Sequence, residues 1–358
     1  MTTRRRIAVL FGGRSAEHDV SILSASNVVK AIDASKYEIA PIGINRRGQW
    51  FLAELGDDGT LPAVPDGGTE ISLLPGGNGR LLALPKNGTA HELPRIDVLF
   101  PVLHGPFGED GSVQGLAEVA GVPFVGSSVL GSAAAMDKDV AKRLLRETGL
   151  PVARSVTVRA GDAVSFEAIT QELGSPVFVK PARQGSSVGV SKAASADAFQ
   201  AALAEALRHD RKVLVEEFVA GREIELGVLE NLDGTLTVSV AGEIAPAASH
   251  GFYTYEAKYI DADGAALRIP AELPDSLTRQ LQDMSRRAFL ALGCEGMARV
   301  DFFVRTDGSA LVNEVNTIPG FTNISMYPKL LDASGVAYGT LVDHLIEHAI
   351  ERAKRQAL

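Results

Sequence analysis

Two periods of apolar positions alternate along this chain. Short unbroken apolar runs closed by glycine or a turn read as buried strands: RRIAVLFGG from Arg5, YEIAPIGIN from Tyr37, and DVLFPVLHG from Asp97 to Gly105. Elsewhere apolar residues recur at helical spacing. This holds from about Val20 to Ile32, through MDKDVAKRLLRETGL to a stop at Gly149 and Pro151, through ELPDSLTRQLQDMSRRAFLALG, and from Tyr338 to Arg352. Strand and helix in turn at the N-terminus predict an α/β domain around a parallel sheet. Leu55 to Leu93, rich in Gly and Pro, predicts a strand-and-loop excursion with little chemistry. Small residues from Gly126 to Ala135 (GSSVLGSAAA) mark a domain boundary, and TIPGFTNISMYPKLLDASG reads as a loop before the last helix.

The sharpest alternation lies in GMARVDFFVRTDGSALVNEVNT, from Gly296 to Thr317. Two apolar-rich runs flank Asp307-Gly308, a strong hairpin signal. A two-residue turn there sets Asp301 opposite Glu314 and Arg299 opposite Asn316 on one face. Val300, Phe302 and Val304 then share the other face with Leu311 and Val315, an ordinary core face. Two carboxylates directly opposite repel. A hard divalent cation between them removes the conflict, with Asn316 as a further oxygen ligand. Arg299 beside it is placed to steady a developing negative charge. A solvated polar face on an edge hairpin is the plainer alternative.

Composition narrows the class. A chain of 358 residues allows two or three domains, and a formal net charge of −9 argues against a nucleic-acid surface. Cys294 is the only cysteine, which excludes an intramolecular disulfide and fits a reducing compartment; in LGCEG it reads as a small packing residue. The apolar run after Arg4, Arg5 and Arg6 stops at Phe11, too short for a signal-peptide core, and no segment is long enough to span a membrane. A cytosolic protein of enzyme size is expected.

Several residues outside the hairpin carry chemistry or an equally ordinary role. Gly12-Gly13 closes the first strand, but GGRSAEHD lacks the third glycine of a dinucleotide fingerprint. Glu17 at the helix start is either a cap or a site for an ammonium group at the sheet's C-terminal edge. His104 ends a strand and could be a buried, satisfied histidine. Lys138, in a helix's first turn, opposes the dipole, which a nearby phosphate would explain; a surface lysine is the alternative. Lys180 precedes the Gly/Ser-rich loop Gln184–Gly189, whose backbone N–H groups could fold over phosphates, although GxxxxGK[ST] is absent. Glu216 and Glu217 could flank a hinge offering backbone groups to a base, with Glu223 on ribose hydroxyls, or be edge charges. Tyr253, Tyr255, Tyr259 and Lys258 stand in a polar, turn-rich stretch that suits a lid. A cation site, a lysine with a phosphate loop and a lid together suit phosphoryl transfer.

FGGRSAEHDVS, LHGPFGEDG, MDK, FVKPARQGSSVGVSK, YEAKY, ARVDFF and NEVNTIPGFTNISMYP follow in order across nearly the whole chain. Together they resemble the D-alanine–D-alanine ligases of the ATP-grasp superfamily; the Leu55–Leu93 stretch carries none of them. The resemblance implies an α/β chain with the ATP-grasp fold behind an N-terminal Rossmann-like domain. Three domains are expected: 1–130 for substrate, 131–215 with the phosphate loop, and 216–358 with the metal site and lid.

By the same resemblance, ATP would lie between two sheets. Lys138 and Lys180 would hold its phosphates under Gly185, Ser186, Ser187 and Val188, and Glu216, Glu217, Val219 and Glu223 would line the adenosine pocket. Asp301, Glu314 and Asn316 would hold two Mg²⁺, with Mn²⁺ as a substitute; need for a monovalent cation is left open. Glu17 would bind the first D-alanine's ammonium, with His104 at the border. The γ-phosphate would pass to that alanine's carboxylate, and the second alanine's amine would attack the acyl phosphate. Lys258 would neutralise the acyl phosphate, and Arg299 with the backbone N–H of Gly320 would steady the tetrahedral oxyanion. Ser325 and Met326 would receive the second carboxylate; Met326 stands where leucine is common. Tyr259 would bond to Ser186 and Glu17, closing the lid, and a tyrosine there goes with a dipeptide product rather than the D-alanyl–D-lactate ester.

The expected partners are D-alanine and ATP, without nucleic acid or membrane, in a cytoplasmic homodimer. A D-alanine–D-lactate ligase is the near alternative, disfavoured by Tyr259. The YEAKY lid and EHDVS disfavour a biotin-carboxylase-like enzyme. A non-catalytic nucleotide-binding regulator would be expected to lack Arg299 or a metal ligand, and a dehydrogenase rests on Gly12-Gly13 alone.

Overall fold

The computed structural model describes residues 4–56, 59–64, 66–246 and 265–356. Tyr253, Tyr255, Lys258 and Tyr259 lie outside the described residues.

Strand β1 (Arg5–Gly12) is the spine of the first sheet, with Ile7 to Phe11 wholly buried. It pairs in parallel with β2 (Tyr37–Ile44) and β7 (Val98–Pro101). The unbroken apolar runs thus form the parallel part of the sheet, covered on both faces. Four short strands, β3 (Trp50–Leu52), β4 (Glu70–Leu73), β5 (Leu81–Leu84) and β6 (His91–Leu93), extend it as an antiparallel meander in the order β6-β5-β4-β3-β2-β1-β7. Helix α1 (His18–Ala31) follows the Gly12-Gly13 turn, and α2 (Ser112–Ala120) precedes the return to the sheet.

The segment expected as a boundary is helical: α3 (Val129–Met136) runs almost directly into α4 (Lys138–Glu147). Its small residues are there for packing, since a Cβ on Gly131 would meet the Gly293 carbonyl at 2.3 Å. The second sheet, order β10-β9-β11-β8, is antiparallel throughout: β8 (Ser155–Arg159), β9 (Val177–Pro181), β10 (Ser191–Ala193) and β11 (Lys212–Glu217). Helices α5 (Phe166–Leu173) and α6 (Ala196–His209) cover one side.

The third sheet has the order β15-β14-β12-β16-β17, with β13 beside β12. Its strands are β12 (Arg222–Glu230), β13 (Leu236–Val238), β14 (Gly242–Pro246), β15 (Ala265–Arg268), β16 (Met297–Val304) and β17 (Ala310–Asn316). Alternate residues of β12 face two helices: Leu226 and Val228 pack with α7 (Asp275–Ala291), and Leu229 with α8 (Met326–Ala333). Helix α8 replaces the loop expected there. Pro328 falls in its first turn, where proline costs no intrahelical bond and reads misleadingly as a breaker. The last helix, α9 (Tyr338–Gln356), runs on past Arg352. No described helix is long and apolar enough to cross a membrane.

The hairpin reaches its predicted register by a different route. Asp301 pairs with Glu314 and Arg299 with Asn316, as the alternation predicts. However, the turn is longer: Arg305 N bonds to Ser309 O at 2.8 Å, and Val304 pairs with Ala310. A bulge between Asp301 and Phe302 leaves Asn313 unpaired in the ladder and restores the register at the acidic pair. The same bulge moves Leu311 off the core face shared by Val300, Phe302 and Val304. Val312 takes that place, and Leu311 packs with Ala153 and Val219 instead.

Candidate active site

Three adjacent strands put carboxylates in one row. Glu225 on β12 pairs with Asp301 on β16, which pairs with Glu314 on β17; Gly227, Arg299 and Asn316 form the next row. Asp301 and Glu225 are buried. The Arg299 fork meets Asp301 through Nε to Oδ1 and Nη2 to Oδ2, both 2.7 Å, and its Nε lies 2.9 Å from Glu225 Oε2. Asn316 Nδ2 donates to Asp301 Oδ2 at 3.0 Å. Glu225 carries no signal in the hairpin pattern, because it lies on a strand some seventy residues upstream.

Glu17 is buried, and its carboxylate does not cap α1. It accepts a hydrogen bond from Ser186 Oγ, across 169 positions of sequence. Two features of the Gly/Ser loop allow this approach. Ser186 and Ser187 take left-handed backbone angles (φ 47° and 60°). A Cβ on Gly185 would meet Glu17 Oε2 at 2.8 Å, so the closest position needs glycine.

His104 is a buried, satisfied histidine. It borders the cavity, with Nδ1 at 3.1 Å from Ile318 O and Nε2 at 3.1 Å from Ser24 Oγ. A carbonyl can only accept, so Nδ1 carries the proton, and burial pushes the imidazole's pKa down. Glu109 is a neighbour that the sequence reading overlooked. Its side chain opens onto the cavity, and its Oε2 accepts from Gly105 N at 2.7 Å. Burial, then the charge of Glu17, push its carboxyl up to about 8. Its only sequence signal was its place in LHGPFGEDG.

Glu17, His104, Glu109, Glu225, Arg299 and Asn316 line one cavity with Gly320, Ser325 and Met326, whereas Asp301 does not line it. Ser325 is the N-cap residue of α8, so the helix N-terminus points its unpaired N–H groups there. Thr322 N donates to Ser325 Oγ at 2.9 Å, fixing that hydroxyl.

A second cavity, of about 490 Å³, adjoins the first at Gly185, Ser186 and Glu314. Lys138 is no surface lysine: Nζ donates to Gln184 O at 2.7 Å and lies 3.5 Å from Glu314. Lys180 lines the same space, with Ser187, Val219 and Glu223; Val188 does not line it. The carboxylates of Glu216 and Glu217 are turned to other partners. Glu216 pairs with Lys142 and Lys180, and Glu217 accepts from Arg154 N and Nε at 2.9 Å. Phe178 and Phe218, stacked at 6.1 Å, add an aromatic wall that the sequence reading missed. Cys294 is buried, and burial pushes its thiol up to about 12, as suits a packing residue.

Among the described residues, no three His, Cys, Asp or Glu side chains form a metal cage. Asp301, Glu314 and Asn316 bring oxygen donors to adjoining positions of β16 and β17, the donor type that a hard divalent cation takes.

Comparison with known proteins identifies the family. The D-ala D-ala ligase N-terminus family matches residues 6–127, and the D-ala D-ala ligase C-terminus family matches residues 144–347. D-alanine–D-alanine ligase A of Mesorhizobium japonicum is 62% identical over 355 residues, covering 98% of this chain and 99% of that protein. The D-alanine–D-alanine ligase structure from Coxiella burnetii is 36% identical with a TM-score of 0.83, covering 99% of this chain and 96% of that one. The Bacillus anthracis ligase complexed with ATP is 27% identical with a TM-score of 0.73, covering 98% and 99%. The fold is therefore ATP-grasp behind an α/β N-terminal domain, and the chain belongs to the D-alanine–D-alanine ligase family, as an ATP-using enzyme that joins two D-alanines.

Proposed function

We propose that the first cavity holds the two D-alanines, that the second holds ATP, and that they meet at the Gly185–Ser186 loop. One observation carries this reading: Glu17, Arg299, Gly320 and Ser325 surround a single cavity that shares Gly185, Ser186 and Glu314 with the space lined by Lys138 and Lys180. The chain folds as 1–130 for substrate and 131–215 and 216–358 as the two halves around the nucleotide.

Glu17 holds the first alanine's ammonium, oriented by Ser186. His104, neutral and tied on both nitrogens, shapes the wall without adding charge. Lys138 and Lys180 hold the phosphates beneath Gly185, Ser186 and Ser187; Val188 supports the loop from outside the cavity. The backbones of Glu216 and Glu217, with Val219 and Glu223, meet adenosine, and Phe178 and Phe218 offer a face for the base. Asp301, Glu314 and Asn316 would hold two Mg²⁺, or Mn²⁺, which would supply charge neutralisation for the phosphates.

The first alanine's carboxylate attacks the γ-phosphorus, ADP leaves, and D-alanyl phosphate results. Lys258 neutralises the transferred phosphoryl group. The second alanine's amine attacks the acyl carbon, while its carboxylate rests on Ser325 and the first N–H groups of α8 at Met326. Arg299 and Gly320 N–H hold the tetrahedral oxyanion until phosphate departs. By the family resemblance, Tyr259 favours the dipeptide over the ester with D-lactate. The product serves peptidoglycan precursor synthesis in the cytoplasm, and the working form is a homodimer.

The test is phosphate release from ATP and Mg²⁺ with D-alanine, L-alanine, or D-alanine plus D-lactate, followed by mass analysis. Release with D-alanine alone and dipeptide as product is expected. Ester in the mixed reaction would reassign Tyr259, and no release with any of them would mean another carboxylate substrate.

A further inference from the structure

One buried lysine beside the second cavity has no place in the mechanism above. Lys142, on α4, is 1% exposed, and its Nζ lies 2.9 Å from Glu216 Oε1. The other oxygen of Glu216 lies 2.5 Å from Lys180 Nζ. One carboxylate thus serves two ammonium groups, one on each oxygen, and two cations with one anion leave the cluster one positive charge in excess.

Burying two ammonium groups this close is costly unless something offsets their repulsion. Burial pushes Lys142's pKa down, the charges of Lys180 and Arg146 push the same way, and Glu216 opposes them. Burial pushes Glu216 up, but the two lysines outweigh it and hold its carboxyl below the usual range. Glu216 is therefore the ionised centre of the cluster. Of the two lysines only Lys180 lines the cavity, so the excess charge can be satisfied from that side alone.

We propose that Lys142 is a positioning residue for the nucleotide's phosphates: by taking up one oxygen of Glu216, it leaves the Lys180 ammonium under-neutralised and available to a polyphosphate. The inference rests on the nucleotide reading of this cavity. Without Lys142, Lys180 would be the sole counter-ion of a buried carboxylate, and its pull on a phosphate would fall with its net charge.

The experiment is calorimetric binding of ADP and of adenosine to the full chain and to Lys142→Met, which keeps the length and loses the charge. ADP should bind about tenfold more weakly to the variant, with adenosine unchanged. In turnover, KM for ATP should rise while KM for D-alanine holds, and Lys142→Arg should restore much of the ADP affinity. Equal ADP affinity in both proteins overturns the inference, and an equal loss for ADP and adenosine shows a collapsed pocket and overturns it too. Absence of ADP binding to the unaltered protein would remove the nucleotide reading itself. Should Lys142→Met fail to fold, Lys142→Gln carries the test: ADP should bind more weakly with adenosine unchanged, and equal ADP affinity overturns the proposal.

Discussion

Glu17 and Ser186 stand 169 positions apart and share a hydrogen bond across the cavity, one from the N-terminal α/β domain and one from the Gly185–Ser187 loop. A loop that covers a nucleotide must close only when substrate is in place, or the phosphoryl group is lost to water. A direct bond from that loop to the residue proposed to hold the first alanine couples the two conditions. Ser186→Ala should therefore raise KM for D-alanine severalfold and raise ATP hydrolysis without dipeptide. Glu17→Gln should raise KM for D-alanine at least tenfold, the loss of one charge-assisted bond of about 1.5–3 kcal/mol. Steady-state kinetics with separate phosphate and dipeptide measurement would check both, and unchanged D-alanine KM in Glu17→Gln would assign the ammonium to another group.

Arg299 is shared between Asp301 and Glu225, so its removal does two things. The proposed oxyanion donor is lost, which should lower kcat by about 10²–10³ on the scale of other oxyanion donors. Two buried carboxylates also lose their counter-charge, so stability should fall. Arg299→Ala should bind ATP near normally, turn over hundreds of times more slowly and melt earlier. Normal turnover in that variant would remove Arg299 from the mechanism.

Glu109 gives a pH signature. Its carboxyl is pushed up to about 8 in the folded chain, against about 4.3 for an exposed glutamate. Between those values the folded state binds a proton that the unfolded state lacks. The neutral form's contribution to stability is thus full below about pH 4.3 and is lost as pH rises towards 8. Glu109→Gln, a fixed neutral mimic, should lack that decline. Melting temperatures of both proteins from pH 5 to 8 should diverge, the variant gaining on the parent as pH rises; parallel curves would show an ordinary carboxylate.

Gly227 is where the third sheet packs closely against α8. A Cβ there would meet Leu331 Cδ2 at 2.4 Å and the Tyr327 ring at 3.1 Å, both on α8, whose N-terminus faces the cavity. Gly227→Ala should destabilise the fold by about 1–3 kcal/mol through overpacking and raise KM for the second D-alanine more than for the first. Denaturant unfolding with KM measured at both sites would check this; a stable variant with normal kinetics would show that α8 tolerates the displacement.

Much of this protein was legible in residue order. Period alone determined the parallel core of β1, β2 and β7, the main helices and the pairing of Asp301 with Glu314, because strand and helix periodicities are local properties of the chain. Family motifs named Glu17, Lys138, Lys180 and Arg299 among the residues that line the two cavities. Tertiary structure decided the rest. The bulge at Asn313 and the longer turn offset each other, so the acidic pair kept its register while Leu311 and Val312 exchanged faces. A proline and a run of small residues, read as breaker and boundary, lie in helices because sheet and neighbouring helix pack against them. Glu225, Glu109 and Lys142 acquired meaning only when strands and helices distant in sequence brought opposite or like charges within a few ångströms. Coulomb energy and desolvation depend on distance and burial in space, and neither is written in the order of residues.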